Sequence, residues 1–225
     1  MNLFDILGPV MVGPSSSHTA GAVRIGFVAS RLLKDVPQHA DIILHGSFAT
    51  TGLGHGTDKA LIAGLLGMEP DDIRIPHSFE LAEQSGLTFS FANRTLKDAH
   101  PNTAVLKLTG KNGRQLEIQA ASIGGGRIMI HRLDGIPVVF SAEKPTLIVY
   151  NQDQPGCVAQ VTTSLSERNV NIATMNLYRD KRGGFAVMVL ETDHKIAAEA
   201  ISCLEQLSGI RKVSYIDTEE VHHGI

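Results

Sequence analysis

The stretch Gly13-Pro14-Ser15-Ser16-Ser17-His18-Thr19 lies near the start of the 225-residue chain and predicts the beginning of a helix. Each of its serines can cap a helix by accepting a hydrogen bond from a backbone N–H that has no partner within the helix. Val23, Phe27 and Leu33 follow at roughly helical spacing. The rest of the amino-terminal half is interpreted as a scaffold for this helix start.

The first turn of such a helix suits an anionic group, because unpaired N–H donors and the positive end of the helix dipole meet there. The neighbouring hydroxyl groups can donate hydrogen bonds to a carboxylate or phosphate, and His18 can exchange a proton with the bound molecule. The hydroxyls belong to Ser15, Ser16, Ser17 and Thr19. The same pattern is equally compatible with a well-capped surface helix that binds nothing.

A second polar segment follows a predicted buried strand over residues 41–48. Residues 50–59 contain Gly52, Gly54 and Gly56 with His55 among them, and an apolar helix is predicted from Ala60 to Met68. The pattern predicts a strand, a glycine-rich turn and a helix capped by Thr57 or Asp58, a layout that brings backbone N–H groups close to an anion. The glycine spacing fits neither a dinucleotide fingerprint nor a P-loop.

Antiparallel strands complete the first half of the chain. Hairpins are predicted over residues 103–123 and 127–140, the second with Asp134-Gly135 as a two-residue turn. Gly124-Gly125-Gly126 separates them, which predicts a bulge, a bend or a ligand lying against the backbone. This half is predicted to be α+β, with an antiparallel sheet and helices on one side.

A different order of strands and helices is predicted for the second half of the chain. Its sequence pattern predicts the order β-α-β-β-α-β of a split ferredoxin-like fold. Pro155 is placed in the first turn of its first helix, and Thr192-Asp193 is predicted to cap the second. The expected organisation is a domain over residues 1–141, a linker over 142–145, a domain over 146–218 and a tail over 219–225.

The composition of the chain argues against several classes of partner and cofactor site. A formal net charge of −3, a pI near 6.3 and the absence of tryptophan argue against a nucleic-acid partner. No segment predicts a membrane span or a signal peptide, so a cytoplasmic protein is expected. The two cysteines, Cys157 and Cys203, are too few for a structural zinc site or an iron–sulfur cluster held by this chain. A site of two histidines with Asp58 lacks preorganised spacing, so no metal ligands are assigned.

The carboxyl-terminal half resembles an ACT domain, through Asp153-x-Pro155-Gly156 and Asn171-Ile172. ACT domains commonly bind an amino acid at the interface of two such domains. The resemblance implies a possible ACT-mediated dimer, an effector site or a purely architectural role. The effector-lining residues that it implies are Asn151, Asp153, Gly156, Asn171 and Ile172.

The amino-terminal half closely resembles the beta chain of bacterial iron–sulfur-dependent L-serine dehydratases. The matching motifs are residues 13–19, the His-Gly-Ser-Phe-Ala-Thr-Thr-Gly-x-Gly-His-Gly-Thr-Asp segment at 45–58, and Ser122-Ile123-Gly124-Gly125-Gly126. The resemblance implies an α+β domain and a lyase that converts L-serine to pyruvate and ammonia. It also implies a 4Fe–4S cluster carried by a separate alpha subunit, without which this chain is inactive.

An iron with an open position is a Lewis acid for the serine hydroxyl and carboxylate, but a base must still remove the α-proton. His18 and His55 are therefore the candidate catalytic residues, in acid–base or substrate-orienting roles. The candidate substrate-binding residues are Ser15, Ser16, Ser17, Thr19, Gly54, Gly56, Gly124 and Gly125. Three alternatives stay open: an allosteric serine site formed by the same residues, an amino-acid sensor acting on a partner enzyme, and a pyridoxal-phosphate lyase with Lys59 as Schiff base.

Overall fold

The computed structural model describes residues 10–217, in two compact units divided between Gly135 and Ile136. The predicted linker at 142–145 stays a prediction. His222 and His223, interpreted from the sequence as a frayed tail, lie outside the described residues.

In the first unit, the predicted first helix begins with a π-helical turn, Ser16–Ala20, and continues as α1, Gly21–Leu33. The other helices are α2 (Ser47–His55), α3 (Thr57–Leu65) and α4 (Ser78–Ser85), the last preceded by a 3₁₀ turn at Ile75–His77. The strands are β1 (Pro37–Leu44), β2 (Thr88–Asn93), β3 (Thr103–Gly110), β4 (Gln115–Gly124) and β5 (Arg127–Leu133).

The strands of this unit form a sheet in the order β2-β1-β3-β4-β5. Its pairs are antiparallel except for β1 with β2, which run parallel with His39 opposite Thr88 and Leu44 opposite Asn93. Helix α1 packs on β3, β4 and β5, and α3 packs on α1. The buried face of α1, which includes Ile25 and Leu32, therefore forms the core between the sheet and α3. The predicted α+β class is confirmed.

The predicted glycine-rich turn after β1 is wrong. The strand ends at Leu44, and residues 47–55 form α2 instead of a loop. Gly52 lies within this helix and packs closely on Thr57, where an added Cβ would be 3.2 Å from the threonine Cβ. Gly56 supplies the break between α2 and α3 with a φ of 68°. The predicted cap by Thr57 or Asp58 is also wrong, since Gly56 occupies the N-cap position without a side-chain hydrogen bond.

The three glycines between β4 and β5 bend the chain as predicted. Gly124, Gly125 and Gly126 have φ values of 97°, 62° and 74°, a region that side chains rarely allow. The pairing of β4 with β5 shifts register between Ser122 and Gly124. The next turn, Asp134-Gly135, also adopts positive φ at both residues, as a two-residue hairpin turn requires.

The second unit opens with β6 (Ile136–Phe140) and contains a four-stranded antiparallel sheet in the order β10-β7-β9-β8. Its elements are β7 (Thr146–Gln152), α5 (Cys157–Ser166), β8 (Ile172–Arg179), β9 (Phe185–Thr192), α6 (Ala198–Glu205) and β10 (Ile210–Ile216). From β7 onward this is the predicted β-α-β-β-α-β order, and the apolar faces of both helices close the core over the sheet.

Two helix starts of the second unit differ from the sequence predictions. Pro155 precedes α5 because Gly156, with a φ of 94°, occupies the N-cap position and Cys157 is the first helical residue. Thr192 is the last residue of β9, and α6 starts only at Ala198 with Ala197 as its N-cap. The Thr192 hydroxyl donates a hydrogen bond to the His194 carbonyl oxygen and so stabilises the turn after the strand instead of capping the helix.

Candidate functional site

The imidazole of His18 lies where the π-helical turn meets α2. Ser15, just before the turn, accepts a hydrogen bond from the His18 backbone N–H with its hydroxyl oxygen at 3.1 Å. The other side of the ring faces α2, where His18 Nε2 lies 3.0 Å from Ser47 Oγ and 3.1 Å from Thr51 Oγ1. The side chain is therefore held from both sides by hydroxyl groups.

The second histidine motif reaches the same place through α2. The rings of His18 and His55 have centroids 5.1 Å apart, and the Phe48 ring meets the His18 ring edge-on at 5.4 Å. Thr19, which is buried, donates a hydrogen bond from its hydroxyl to the His55 carbonyl oxygen at 3.3 Å. The two candidate catalytic imidazoles are thus neighbours, one half-buried and one exposed.

Burial lowers the pKa of His18 below its ordinary value of 6.5, and the nearby charge of His55 lowers it further. A backbone hydrogen bond from the ring to Ser47 acts in the opposite direction but does not reverse the shift. The shift favours the neutral form of His18, in which one ring nitrogen is protonated and the other carries a lone pair.

The glycine triplet also comes close to the first motif. A Cβ added to Gly124 would lie 4.0 Å from Ser17 Oγ, so the end of β4 runs beside the serine stretch. Gly21 packs against Ser122 so closely that any side chain there would overlap it. Ser122 is fully buried, and its hydroxyl has no hydrogen-bond partner within residues 10–217. The three separate sequence motifs therefore converge in the first unit.

The candidate substrate-binding residues fall into two groups. Ser15 and Thr19 use their hydroxyls within the protein, as described above, whereas Ser16 and Ser17 are half-buried, with Ser17 beside Gly124. A Cβ built on Gly54, Gly56 or Gly125 would meet no atom within 4 Å, so a ligand can approach the backbone closely at these three positions. Lys59, the Schiff-base candidate, donates a hydrogen bond from its amino group to the Pro76 carbonyl oxygen at 2.8 Å.

Sequence reasoning did not single out Ser47, Phe48 and Thr51, although all three contact or approach His18. The available signal was the four-residue spacing of Ser47 and Thr51, which places two hydroxyls on one face of a helix. That signal was lost because the segment was interpreted as a turn.

The candidate effector residues of the second unit lie at two ends of its sheet. Asn151 is opposite Ala186 on β9, whereas Ile172 is opposite Thr192 on the same strand. Six residues of strand separate the two positions, which corresponds to about 20 Å. Asn171 and Ile172 of one chain therefore do not line the same small-molecule site as Asn151, Asp153 and Gly156.

At the first of these ends, Asp153 accepts hydrogen bonds from the Gly183 N–H at 2.9 Å and from Arg179 at 3.1 Å. These contacts lower the pKa of its carboxyl group, the Gly183 N–H most strongly. Asn151 is buried, and its side-chain carbonyl oxygen has no hydrogen-bond partner within the described residues. At the other end, Asn171 donates a hydrogen bond to Asp193 at 2.6 Å.

Neither metal nor cluster ligands gather in the described part of the chain. Between residues 10 and 217, no group of three or more histidine, cysteine, aspartate or glutamate side chains is placed to hold a metal ion. Cys157 is buried and Cys203 exposed, both in the second unit. Two thiols do not supply the three or four thiolates of an iron–sulfur cluster, so this chain's residues do not fit that group. No helix in the described range is long and apolar enough to cross a membrane.

The fold defines a two-part protein in which an α+β unit with a histidine–hydroxyl site precedes an ACT domain. The sequence model of the ACT domain matches residues 145–209, and that of the serine dehydratase beta chain matches residues 2–86. The chain belongs to the L-serine dehydratase beta chain family. It is 37% identical to the L-serine dehydratase beta chain of Peptoniphilus asaccharolyticus over 215 residues, 95% of this chain and 97% of that protein.

Two further relatives show how the match extends. The chain is 40% identical to the probable L-serine dehydratase beta chain of Bacillus subtilis over 215 residues, which cover 96% of this chain and 97% of that protein. It is 35% identical over 149 residues to the L-serine dehydratase of Helicobacter pylori strain J99. That match covers 56% of this chain and only 33% of the Helicobacter protein, which is therefore much longer.

Proposed function

We propose that this chain is the beta subunit of an L-serine dehydratase and that His18 and His55 form part of its active site. The observation that carries the proposal is the pair of imidazoles, 5.1 Å apart, at a serine stretch whose Ser17 lies beside Gly124. Dehydration removes the α-proton and the β-hydroxyl group of L-serine as water. The resulting enamine becomes an imine, which is hydrolysed to pyruvate and ammonia.

This chain would supply proton transfer and substrate orientation. A neutral imidazole can accept the α-proton, and its protonated form can return a proton to a leaving group. The half-buried hydroxyls of Ser16 and Ser17, the open backbone at Gly54, Gly56 and Gly125, and Gly124 beside Ser17 suit the carboxylate of the amino acid. A partner alpha subunit would hold the 4Fe–4S cluster, since this chain lacks the thiolates for one.

The test is anaerobic L-serine deamination, with iron and sulfide analysis, on this chain alone and on its complex with the alpha subunit. Activity and iron confined to the complex are expected. In the complex, His18→Ala and His55→Ala are each expected to lower kcat by about 10²–10⁴-fold with cluster content unchanged. Turnover by the isolated, iron-free chain, or full activity of both variants, would rule out the proposed role.

The ACT domain supports a second, regulatory proposal. Residues at opposite ends of one sheet, about 20 Å apart, can line a single amino-acid site only if two copies of the domain each contribute one end. The buried, unpartnered side-chain oxygen of Asn151 is suited to accept a hydrogen bond from an ammonium group. Calorimetric titration of the full chain with L-serine, compared with Asn151→Ala, tests this: unchanged heats would remove Asn151 from the site.

A further inference from the structure

The orientation of His18 depends on two hydroxyl groups that no sequence motif assigned to a role. Ser47 and Thr51 lie one turn apart on α2, and both oxygens are within 3.1 Å of His18 Nε2. Because a neutral imidazole carries one proton on either nitrogen, the protons of these hydroxyls decide which nitrogen is protonated.

The Thr51 hydroxyl has a single proton and three neighbouring acceptor candidates. It donates to the Ser47 carbonyl oxygen at 2.9 Å, which is the shortest of its contacts and involves an atom that can only accept. The contacts to His18 Nε2 at 3.1 Å and to Ser47 Oγ at 3.2 Å then require Thr51 Oγ1 to accept. Its partners in those two contacts must therefore be the donors.

The positions of the other protons follow from the hydrogen bond that Thr51 donates to the Ser47 carbonyl oxygen. Ser47 donates its hydroxyl proton to Thr51 Oγ1 at 3.2 Å and accepts from His18 Nε2–H at 3.0 Å, so the single Nε2–H is shared between the Ser47 and Thr51 oxygens. The lone pair of His18 is then on Nδ1, which faces Ser15 Oγ at 3.4 Å. Ser15 already accepts from the His18 backbone N–H, so its own proton is available to Nδ1. Every hydroxyl in the chain of contacts has one donor role, and none conflicts with another.

We infer that Ser47 and Thr51 are positioning residues that hold neutral His18 in its Nε2-protonated form, with the basic nitrogen turned toward Ser15. The proton arrangement stands on geometry alone, whereas its importance for turnover rests on the proposed function. Since the neutral imidazole has its lone pair on Nδ1, His18 can accept a proton only from the Ser15 side.

The arrangement is tested by nitrogen NMR of the histidine-labelled full chain at mildly alkaline pH, with the His18 signals identified by their loss in His18→Gln. The shifts of a protonated Nε2 and an unprotonated Nδ1 are expected in the wild type. Ser47→Ala and Thr51→Val should move both nitrogens toward the averaged values of mixed tautomers, and Thr51→Ser should restore them. Nδ1 protonation in the wild type, or unchanged shifts in both variants, would overturn the inference.

Thr50→Val is the matched control. Thr50 is an exposed neighbour on α2 whose hydroxyl also donates to the carbonyl four residues earlier, that of Gly46 at 3.2 Å, and no contact joins it to His18. It should leave the His18 shifts unchanged; a change equal to that of Thr51→Val would assign the effect to helix stability and overturn the inference.

Turnover is measured on the same variants in complex with the alpha subunit. Loss of orientation should lower kcat about 10- to 100-fold with little change in KM for Ser47→Ala and Thr51→Val, and leave Thr50→Val at the wild-type rate. Wild-type kcat in both variants, despite altered NMR shifts, would overturn the positioning role. A wild-type complex without serine deamination would instead contradict the proposed function, while the NMR result still decides the proton arrangement.

Discussion

Gly26 of α1 and Gly64 of α3 each face the backbone of the other helix. A Cβ on Gly26 would lie 3.1 Å from the Gly64 carbonyl carbon and would overlap the Leu61 carbonyl oxygen. A Cβ on Gly64 would likewise overlap the Val23 carbonyl oxygen. The close approach of the two helices, which places α3 and the end of α2 beside the π-helical turn, therefore requires glycine at both positions.

Gly64→Ala is expected to lower the free energy of unfolding by about 1–3 kcal/mol, because backbone atoms cannot move aside as a flexible side chain can. Chemical denaturation of the full chain measures the change. The matched control is Gly54→Ala, a helical glycine whose added Cβ meets no atom within 4 Å. That variant should gain about 0.5–1 kcal/mol from the lower backbone entropy of the unfolded chain. Equal effects of the two substitutions would contradict the packing argument.

Ser122→Ala is expected to raise the free energy of unfolding by about 1 kcal/mol, because it removes a buried hydroxyl that has no partner within residues 10–217. Ser78 provides the comparison, since it is equally buried but donates its hydroxyl proton to the Lys59 carbonyl oxygen at 2.8 Å. Ser78→Ala should cost about 1 kcal/mol by the same denaturation measurement. A loss of stability in Ser122→Ala as large as in Ser78→Ala would show that Ser122 has a hydrogen-bond partner in solution.

The pKa of His18 should reflect both the burial of its imidazole and the charge of His55. Its pKa is expected below 6.5, and His55→Gln should raise it only in part, because burial is the larger cause. The unfolded chain then binds more protons than the folded one as pH falls from 6.5 toward the folded pKa, so His18 contributes stability above 6.5 that is lost across this interval. Proton NMR titration checks this; a pKa at or above 6.5 in the wild type would contradict it.

The loop before α5 contains a second group with a shifted pKa, the carboxyl group of Asp153. The carboxyl group of Asp153 is expected to titrate below 3.8, and Arg179→Gln should raise that pKa only partly because the Gly183 N–H contributes more. Carbon NMR of labelled aspartate measures both values. Asp180→Asn is the control, because the Asp180 carboxylate lies in the same β8–β9 turn but accepts its hydrogen bonds from the Lys181 and Phe185 backbone N–H groups. A full return to 3.8 in Arg179→Gln would assign the shift to the arginine instead.

Much of the architecture could be predicted from the sequence, because its signals are local. The strands Arg127–Leu133 and Ile136–Phe140 have the predicted bounds, since alternating apolar residues and an Asp-Gly turn determine both. The β-α-β-β-α-β order of the second half was predictable for the same reason. The parallel pairing of β1 with β2 was not, because nothing in either strand encodes a partner almost fifty residues away.

The site was predictable only in part. The motifs singled out His18 and His55 as candidates, but α2 was missed because the local sequence around Gly52 and Gly54 favours a turn. Packing of Gly52 on Thr57 and the hydrogen bond from the Thr51 hydroxyl to the Ser47 carbonyl stabilise the helix instead. The hydroxyl partners of His18 follow from that helix, so their role was inaccessible until the helix was known.

The position of β1 in its sheet has a consequence for synthesis on the ribosome. The strand comprises residues 37–44, but its two neighbours are residues 88–93 and 103–110. Both edges of β1 therefore have no partner strand until more than forty further residues have been translated. During that interval the nascent amino-terminal unit exposes the kind of surface that aggregates or recruits chaperones. Strand β7 of the ACT domain is in a similar position, because its neighbours β9 and β10 begin only at Phe185 and Ile210. We therefore expect the yield of both units in cells to depend on chaperone capacity.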